Sequence, residues 1–125
     1  MIRTPLDVVH ACMRAYVDND RSAIESLLDS DYHFTSPLDN ALDRATYMAV
    51  CWPNSAAIAS FDVVHEMEHG PYVSIVYEGC TSSGKRFRNC EVHTVRGSKL
   101  LGTEVYFGWD IPHKVPLGTH ADPGS

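Results

Sequence analysis

Glu91 and His93 are the pair whose types and spacing best suit acid–base chemistry in this chain of 125 residues. They lie two apart in a β-patterned run, so a strand would place both side chains on one face, together with Asn89. A carboxylate beside an imidazole can orient the ring and exchange a proton with it. The alternative is that Glu91 pairs with Arg86 or Arg88 and that His93 is a solvated strand residue.

Residues His65 to His69 match the sequence motif H-E-x-x-H, which is typical of zinc proteases. Such a site needs both histidines on one face of a helix. Here β-forming residues lead in from Phe61, and Gly70-Pro71 follows at once. Along a strand, residues four apart are separated by about 13 Å, which is too far for two histidines to share one ion. We therefore predict a strand that holds no metal, and we expect no cofactor; His65 remains a candidate to reach a cavity.

Helical periodicity dominates the first part of the chain. Thr4 as N-cap and a proline at the first helical position predict a helix over Pro5–Asp18, whose apolar residues recur every three or four positions. A second helix is predicted over Arg21–Leu28. A third is predicted over Leu42–Cys51, with Asp43 as its cap.

The rest of the chain has a β pattern. A short strand over Tyr32–Ser36 ends at Pro37. Four longer runs joined by short turns predict an antiparallel meander: Phe61–His69, Tyr72–Cys80, Lys85–Arg96 and Lys99–Trp109. This organisation predicts one α+β domain over residues 1–110 and an extended tail, rich in Pro and Gly, over residues 111–125.

Composition narrows the classes of partner. Ten basic and sixteen acidic residues give a net charge of −6, which argues against nucleic acid or an anionic membrane as the main partner. Charged residues interrupt positions 1–20, so no apolar leader is predicted and a cytoplasmic location is expected. The cysteines have no C-x-x-C spacing and are expected to be reduced and mostly buried: Cys12, Cys51, Cys80 and Cys90.

Alternation along the strands sorts side chains into faces. The predicted sets are Phe61, Val63, His65 and Met67 on the first long run, Phe87, Asn89, Glu91 and His93 on the third, and Thr103, Val105 and Phe107 on the fourth. Both faces of the last two strands mix polar and apolar residues. This mixture fits a sheet with one face towards a polar-tipped cavity and the other in a subunit interface. The alternative is a one-sided sheet whose polar set lies in water.

The order helix–helix–short strand–helix–meander resembles the NTF2-like superfamily, in particular its SnoaL-like and ketosteroid-isomerase-like branches. The segments that carry the resemblance are Ala15–Asp20, Leu27–Asp39 and Val105–Trp109, and the likeness extends over about residues 4–110. It implies a curved antiparallel sheet wrapped around N-terminal helices as a cone with a deep pocket, and a homodimer formed through the sheet. It also implies diverse roles: isomerases, dehydratases, polyketide cyclases, hydrolases and non-catalytic binding modules.

Carried over residue by residue, the isomerase resemblance fits only in part. That branch has an Asp as general base just before the Pro of the short strand, where this chain has Ser36. A hydroxyl with no nearby base cannot remove an α-proton near pH 7. Tyr16 matches the helix-one tyrosine that polarises the substrate oxygen, and Glu91 matches the acid that shares this role. In an apolar pocket the pKa of such a carboxyl would be raised, so that it could donate a hydrogen bond.

These arguments define two candidate sets. The candidate catalytic residues are Tyr16, Glu91 and His93, with Asp39 and His65 as partners. The candidate ligand-binding residues are Phe34, Ser36, Trp52, Phe61, Val63, Tyr77, Asn89, Val105 and Phe107. Tyr16 as a plain core residue and Asp39 as a turn or helix cap are the simpler alternatives.

Three functions remain open at this point. The first is a small-molecule-binding domain that acts as an acid–base enzyme without a cofactor (isomerase, dehydratase or cyclase) on a small hydrophobic molecule. The second is a non-catalytic ligand-binding module. The third is an interaction module that uses the convex sheet.

Overall fold

The molecule consists of helices packed on one side of a curved six-stranded sheet. A computed structural model describes residues 3–122. The elements in chain order are α1 (Pro5–Val17), α2 (Arg21–Leu27), β1 (Leu28–Ser36), β2 (Asp39–Asp43), α3 (Arg44–Val50), a 3₁₀ helix (Trp52–Ala57), β3 (Ile58–His69), β4 (Tyr72–Thr81), β5 (Arg86–Arg96) and β6 (Lys99–Ile111). Residues 112–122 form neither helix nor strand.

The start of α1 follows from its first residues. The Thr4 hydroxyl accepts a hydrogen bond from the Asp7 backbone N at 3.1 Å, and the Asp7 carboxylate accepts one from the Thr4 backbone N at 3.2 Å. This capping box satisfies two amide groups that a helix end would otherwise leave unpaired. The apolar stripe then buries four residues: Val8, Val9, Cys12 and Ala15. The predicted first helix and its cap are confirmed.

The sheet has the strand order β2-β1-β6-β5-β4-β3. The predicted antiparallel meander from β3 to β6 is confirmed, and β1 joins it by pairing parallel to β6. Helix α1 packs against β3, β4 and β5. We call the face that α1 covers concave and the opposite face convex. The faces predicted for β5 and β6 are confirmed, because their first-named sets all lie on the concave side.

The segment between β1 and α3 differs from the prediction. β1 begins at Leu28, four residues before the predicted strand, and an unpredicted strand, β2, pairs with it. Consequently α3 begins at Arg44 and not at Leu42. The predicted cap is nevertheless confirmed, since the Asp43 side chain accepts a hydrogen bond from the Thr46 backbone N at 2.8 Å. A five-residue strand is too short to show a period of its own.

A bulge in β3 changes which side chains face inward. Val63 pairs with Tyr77, and His65 pairs with the adjacent residue of β4, Val76. Val64 is therefore an extra residue in β3 without a register partner in β4. Such a bulge reverses the alternation that follows it. The prediction that His65 and Met67 share a face with Phe61 is therefore wrong.

Beyond the bulge, two glutamates of β3 turn towards α1. Glu66 Oε2 lies 2.6 Å from His10 Nε2, and Glu68 Oε1 accepts a hydrogen bond from the Leu6 backbone N at 3.0 Å. The H-E-x-x-H motif thus lies on a strand, as predicted. Successive side chains of the motif point to opposite faces of the sheet. Within residues 3–122, no helix is long and apolar enough to cross a membrane.

Candidate functional site

A cavity of about 290 Å³ lies on the concave face of the sheet, beside α1. This volume is at the lower end of the range for small-molecule sites, about 300–1,000 Å³. Side chains from all three α-helices, the 3₁₀ helix and all six strands line it. The wall is mostly aromatic and aliphatic, so its few polar groups decide what chemistry it can support.

Most of the sequence-predicted residues line this cavity. Among the catalytic candidates, Tyr16, Asp39, Glu91 and His93 do so. The ligand-binding candidates on the wall are Phe34, Ser36, Phe61, Tyr77, Asn89, Val105 and Phe107. Their roles remain predictions, but the fold brings them to one place.

Three candidates lie elsewhere. His65 is exposed and outside the cavity, because the β3 bulge rotates it away. Val63 is 45% exposed on the edge strand and does not line the cavity. Trp52 is buried but lies behind Tyr16, with the two rings edge to face at 4.9 Å between centroids. Trp52 therefore supports the wall without forming it.

Glu91 and His93 lie side by side on the cavity wall. Glu91 Oε1 lies 2.9 Å from His93 Nε2, although the ring is not aligned for a well-directed hydrogen bond. The second oxygen, Oε2, accepts a hydrogen bond from the Tyr77 hydroxyl at 2.6 Å. The other ring nitrogen, His93 Nδ1, lies 2.9 Å from Thr103 Oγ1. The arrangement is a chain of polar groups embedded in an apolar wall.

The environment of Glu91 corrects the predicted direction of its pKa. Burial by itself would raise this pKa, but the adjacent imidazole of His93 and the Tyr77 hydroxyl together outweigh burial and lower it. Glu91 is thus a carboxylate near neutral pH, and the expected protonated, hydrogen-bond-donating form is wrong. The alternative pairing with Arg86 or Arg88 is also wrong, since both arginines bind Glu78.

Tyr16 and Tyr47 provide hydroxyl groups to the same cavity, and the two hydroxyls are hydrogen-bonded to each other. Burial raises the pKa of Tyr16, and the nearby charge of Glu91 adds to this effect. Burial likewise raises the pKa of Tyr47. Both phenols therefore keep their protons, and the pair can donate one hydrogen bond to an oxygen atom in the cavity.

Ser36 and Asp39 meet across the turn that joins β1 to β2. The Ser36 hydroxyl donates a hydrogen bond to Asp39 Oδ2 at 2.8 Å. The expectation that Ser36 has no base nearby is therefore wrong. Asp39 does not cap the following helix, a role that Asp43 fills. Both Ser36 and Asp39 line the cavity.

Two cysteines also line the cavity, and their environment suppresses nucleophilic character. Burial raises the pKa of Cys12 to about 12. Burial, followed by the charge of Asp39, raises the pKa of Cys51 to about 11. A thiol rather than a thiolate is a poor nucleophile. All four cysteines are free, with Cys12 buried and the others half-buried.

Sequence reasoning missed Tyr32 and Tyr47 as parts of this wall, whereas alternation along β6 predicts the face of Thr103. Tyr32 is 2% exposed and its ring packs edge to face on Tyr47 at 5.2 Å between centroids. The available signal was a tyrosine in each of the two elements β1 and α3. This signal is weak, because a buried tyrosine is equally common in ordinary cores. Among residues 3–122 there is no group of three or more His, Cys, Asp or Glu side chains placed to hold a metal ion.

No protein-family model matches the chain, and no curated protein matches its sequence. Several solved structures resemble it in shape. An NTF2-like protein of unknown function from Cytophaga hutchinsonii is 20% identical, with a TM-score of 0.69 over 84% of this chain and 90% of its own. An LEH-like epoxide hydrolase from M. tuberculosis is 15% identical, with a TM-score of 0.71 over 83% and 82%. IdmH of Streptomyces antibioticus, a proposed polyketide cyclase, is 17% identical, with a TM-score of 0.62 over 82% and 91%.

Proposed function

We propose, from the NTF2-like, SnoaL-like fold of this chain, that its cavity is the active site of a cofactor-independent acid–base enzyme that acts on a small hydrophobic molecule. One observation carries the proposal: an ionisable pair, Glu91 and His93, lies on the wall of a mostly apolar cavity. Burying charge is unfavourable even when it is paired, and ionisable groups placed in a cleft are characteristic of functional sites.

The reaction class follows from what this wall can do. Glu91 takes a proton from a carbon beside a carbonyl, and the electron pair of the broken C–H bond moves towards the carbonyl oxygen. Tyr16 donates a hydrogen bond to that oxygen as negative charge develops on it. The resulting enolate is protonated at another carbon in an isomerase, expels a hydroxide in a dehydratase, or attacks a second carbonyl in a cyclase.

The state of each group suits these roles. Because its pKa is lowered, Glu91 is ready to accept a proton throughout the neutral range. Tyr16, whose pKa burial raises, is ready to donate a hydrogen bond. His93 lies 2.9 Å from Glu91 and can share the proton that the carboxylate receives. The lowered pKa makes Glu91 a weaker base than a glutamate near neutrality would be, so stabilisation of the oxygen by Tyr16 carries more of the catalysis.

The first experiment uses 1-tetralone, a bicyclic ketone whose exchangeable α-protons report enolate formation directly. Proton–deuterium exchange is followed by NMR in D₂O for the wild type, for Glu91→Gln and for the control Glu104→Gln, an exposed glutamate on the convex side of β6. Because a general base contributes about 10²- to 10⁴-fold, we expect Glu91→Gln to lose at least a hundredfold in rate. Glu104→Gln should exchange like the wild type.

The pH dependence gives an independent check. With a lowered pKa, Glu91 stays ionised as the pH falls from neutral, so the rate should decline only in the acid range, below the ordinary value of 4.5 for a glutamate. A folded Glu91→Gln protein that exchanges at the wild-type rate would remove Glu91 from the mechanism. Wild-type protein that does not exceed the buffer background would favour the non-catalytic binding module instead.

The convex face supports a second candidate function, interaction with another protein chain. Met67, Tyr106 and Trp109 are exposed on this face by 70%, 54% and 46%. A homodimer through the sheet would cover them. We propose this homodimer as an accompaniment to the enzyme function, and light scattering of the purified protein tests it.

A further inference from the structure

We infer that the ligand of this cavity carries an organic ammonium group, which Asp39 holds at the mouth while an apolar, ring-bearing body fills the interior. The inference rests on the proposed function in one respect only, in that it takes this cavity as the binding site. It adds a charge to the ligand and assigns a specificity-determining role to Asp39.

The mouth of the cavity is identified by wall residues that remain exposed to solvent. Leu38 is 82% and Phe107 is 54% exposed, although both line the cavity. The opposite end is closed, since Tyr32 and Leu100 are 2% and 3% exposed. Asp39 follows Leu38 directly and lines the same wall, half-buried. A charged ligand end beside Asp39 would therefore keep part of its contact with water.

The charges on the wall are unbalanced at this mouth. Asp39 and Glu91 both line the cavity, and no Lys or Arg of the described chain does. Glu91 has the imidazole of His93 at 2.9 Å. Asp39 has the hydroxyl of Ser36, and none of the basic side chains of residues 3–122 forms an ion pair with it. A cation at the mouth would supply this missing charge, whereas an anion would meet two carboxylates and neither a lysine nor an arginine.

The interior favours a ring. Four phenylalanine side chains line the cavity, namely Phe34, Phe61, Phe87 and Phe107. Apolar walls of this kind bind aromatic or alicyclic bodies by burial. Aromatic rings also attract a nearby ammonium group through their negative faces. A wall that combines such rings with a carboxylate at the mouth suits an amine better than an acid.

Three probes with one scaffold separate charge from shape: 2-phenylethylamine, 2-phenylethanol and phenylacetate. Their binding is measured by calorimetry near neutral pH, where the amine is protonated and the acid ionised. Since a charge-assisted hydrogen bond is roughly twice as strong as a neutral one, we expect the amine to bind about tenfold more tightly than the alcohol. Phenylacetate should bind most weakly. Added salt should reduce the advantage of the amine, because the mouth is open to solvent.

Two variants assign the effect to Asp39. Asp39→Asn should lower the affinity for the amine to that for the alcohol and leave the alcohol unchanged. The control Asp62→Asn removes an exposed carboxylate of β3 outside the cavity and should leave all three affinities unchanged. The inference is overturned if the alcohol or the acid binds as tightly as the amine, if Asp39→Asn retains the preference, or if no probe binds.

These results are distinguishable from those for the proposed function. An amine preference that depends on Asp39, without exchange of 1-tetralone, would leave the inference standing and remove the enzyme proposal. Exchange of 1-tetralone without an amine preference would do the reverse.

Discussion

Replacing Tyr77 by phenylalanine removes a single oxygen atom, and the structure indicates how much stability that atom contributes. The Tyr77 hydroxyl donates a hydrogen bond of 2.6 Å to Glu91 Oε2, and Tyr77 is only 5% exposed. Hydrogen bonds to charged groups contribute about 1.5–3 kcal/mol. We therefore expect Tyr77→Phe to lower the free energy of unfolding at neutral pH by an amount in this range.

The same substitution should change how stability depends on pH. The pKa of Glu91 is lowered in the folded protein, so the stability it contributes is present above the unfolded pKa and is lost as the pH falls through the folded pKa. Tyr77→Phe removes one of the groups that lower this pKa. The stability difference between variant and wild type should thus be largest above pH 4.5, the ordinary value for a glutamate, and should narrow in more acid solution.

A matched control exists in the chain. The Tyr106 hydroxyl donates to Glu104 Oε2 at 3.0 Å, but Tyr106 is 54% exposed. Because water replaces an exposed hydrogen bond readily in the unassociated chain, Tyr106→Phe should change the unfolding free energy of the monomer by less than about 0.5 kcal/mol. Urea unfolding of both variants between pH 3 and 7 measures the comparison. Equal effects for the two variants, or a Tyr77→Phe effect that does not narrow in acid, would refute the reasoning.

Three further predictions concern packing, capping and assembly. A Cβ atom added at Gly79 would overlap the Phe87 ring. Gly79→Ala should therefore cost about 1–3 kcal/mol in urea unfolding, whereas Gly102→Ala, with its nearest contact at 3.6 Å, should cost much less. Thr4→Ala should remove one half of the capping box and lower stability by about 1 kcal/mol, and an undiminished melting temperature would contradict this. If the homodimer forms through the convex face, Tyr106→Glu should halve the mass found by light scattering; an unchanged dimer would place the interface elsewhere.

Regular periodicity is the reason that much of this architecture could be predicted. In α1, apolar residues recur every three or four positions along the helix, and Thr4 and Asp7 form the capping box at its start. In β5, the strand is regular from Asn89 to His93, so residues two apart meet on one face of the cavity. The placement of Glu91 and His93 on one face of the sheet therefore followed from the alternation of side chains along the strand.

The β3 strand shows where such counting fails. Alternation predicts a face only while each residue of one strand has one partner, and the bulge after Val63 breaks that condition. A bulge is a property of two paired strands, and neither glycine nor proline marks this one in the sequence. Consequently alternation makes His65 a candidate to reach the cavity, although this residue lies on the other side of the sheet.

Contacts between distant residues account for the remaining differences. The pKa of Glu91 is lowered mainly by His93, which sits two residues along the same strand, and further by Tyr77, which is 14 residues away on another strand. The hydroxyl pair of Tyr16 and Tyr47 joins two helices whose packing no local pattern specifies. The sequence could predict burial for each of these residues. The direction of a pKa shift, however, depends on which polar groups the fold places beside the residue.

The bulge of β3 also bears on how this protein avoids associating with itself in the wrong way. β3 is the outermost strand of the sheet and, at twelve residues, a long one. A straight edge of that length would offer its free backbone groups to the edge of another molecule and so start a continuous intermolecular sheet. The bulge twists this edge, and the charged side chains of Asp62 and Glu66 flank it. Deleting Val64 to straighten the strand should therefore promote aggregation as well as restore the alternation that the sequence suggests.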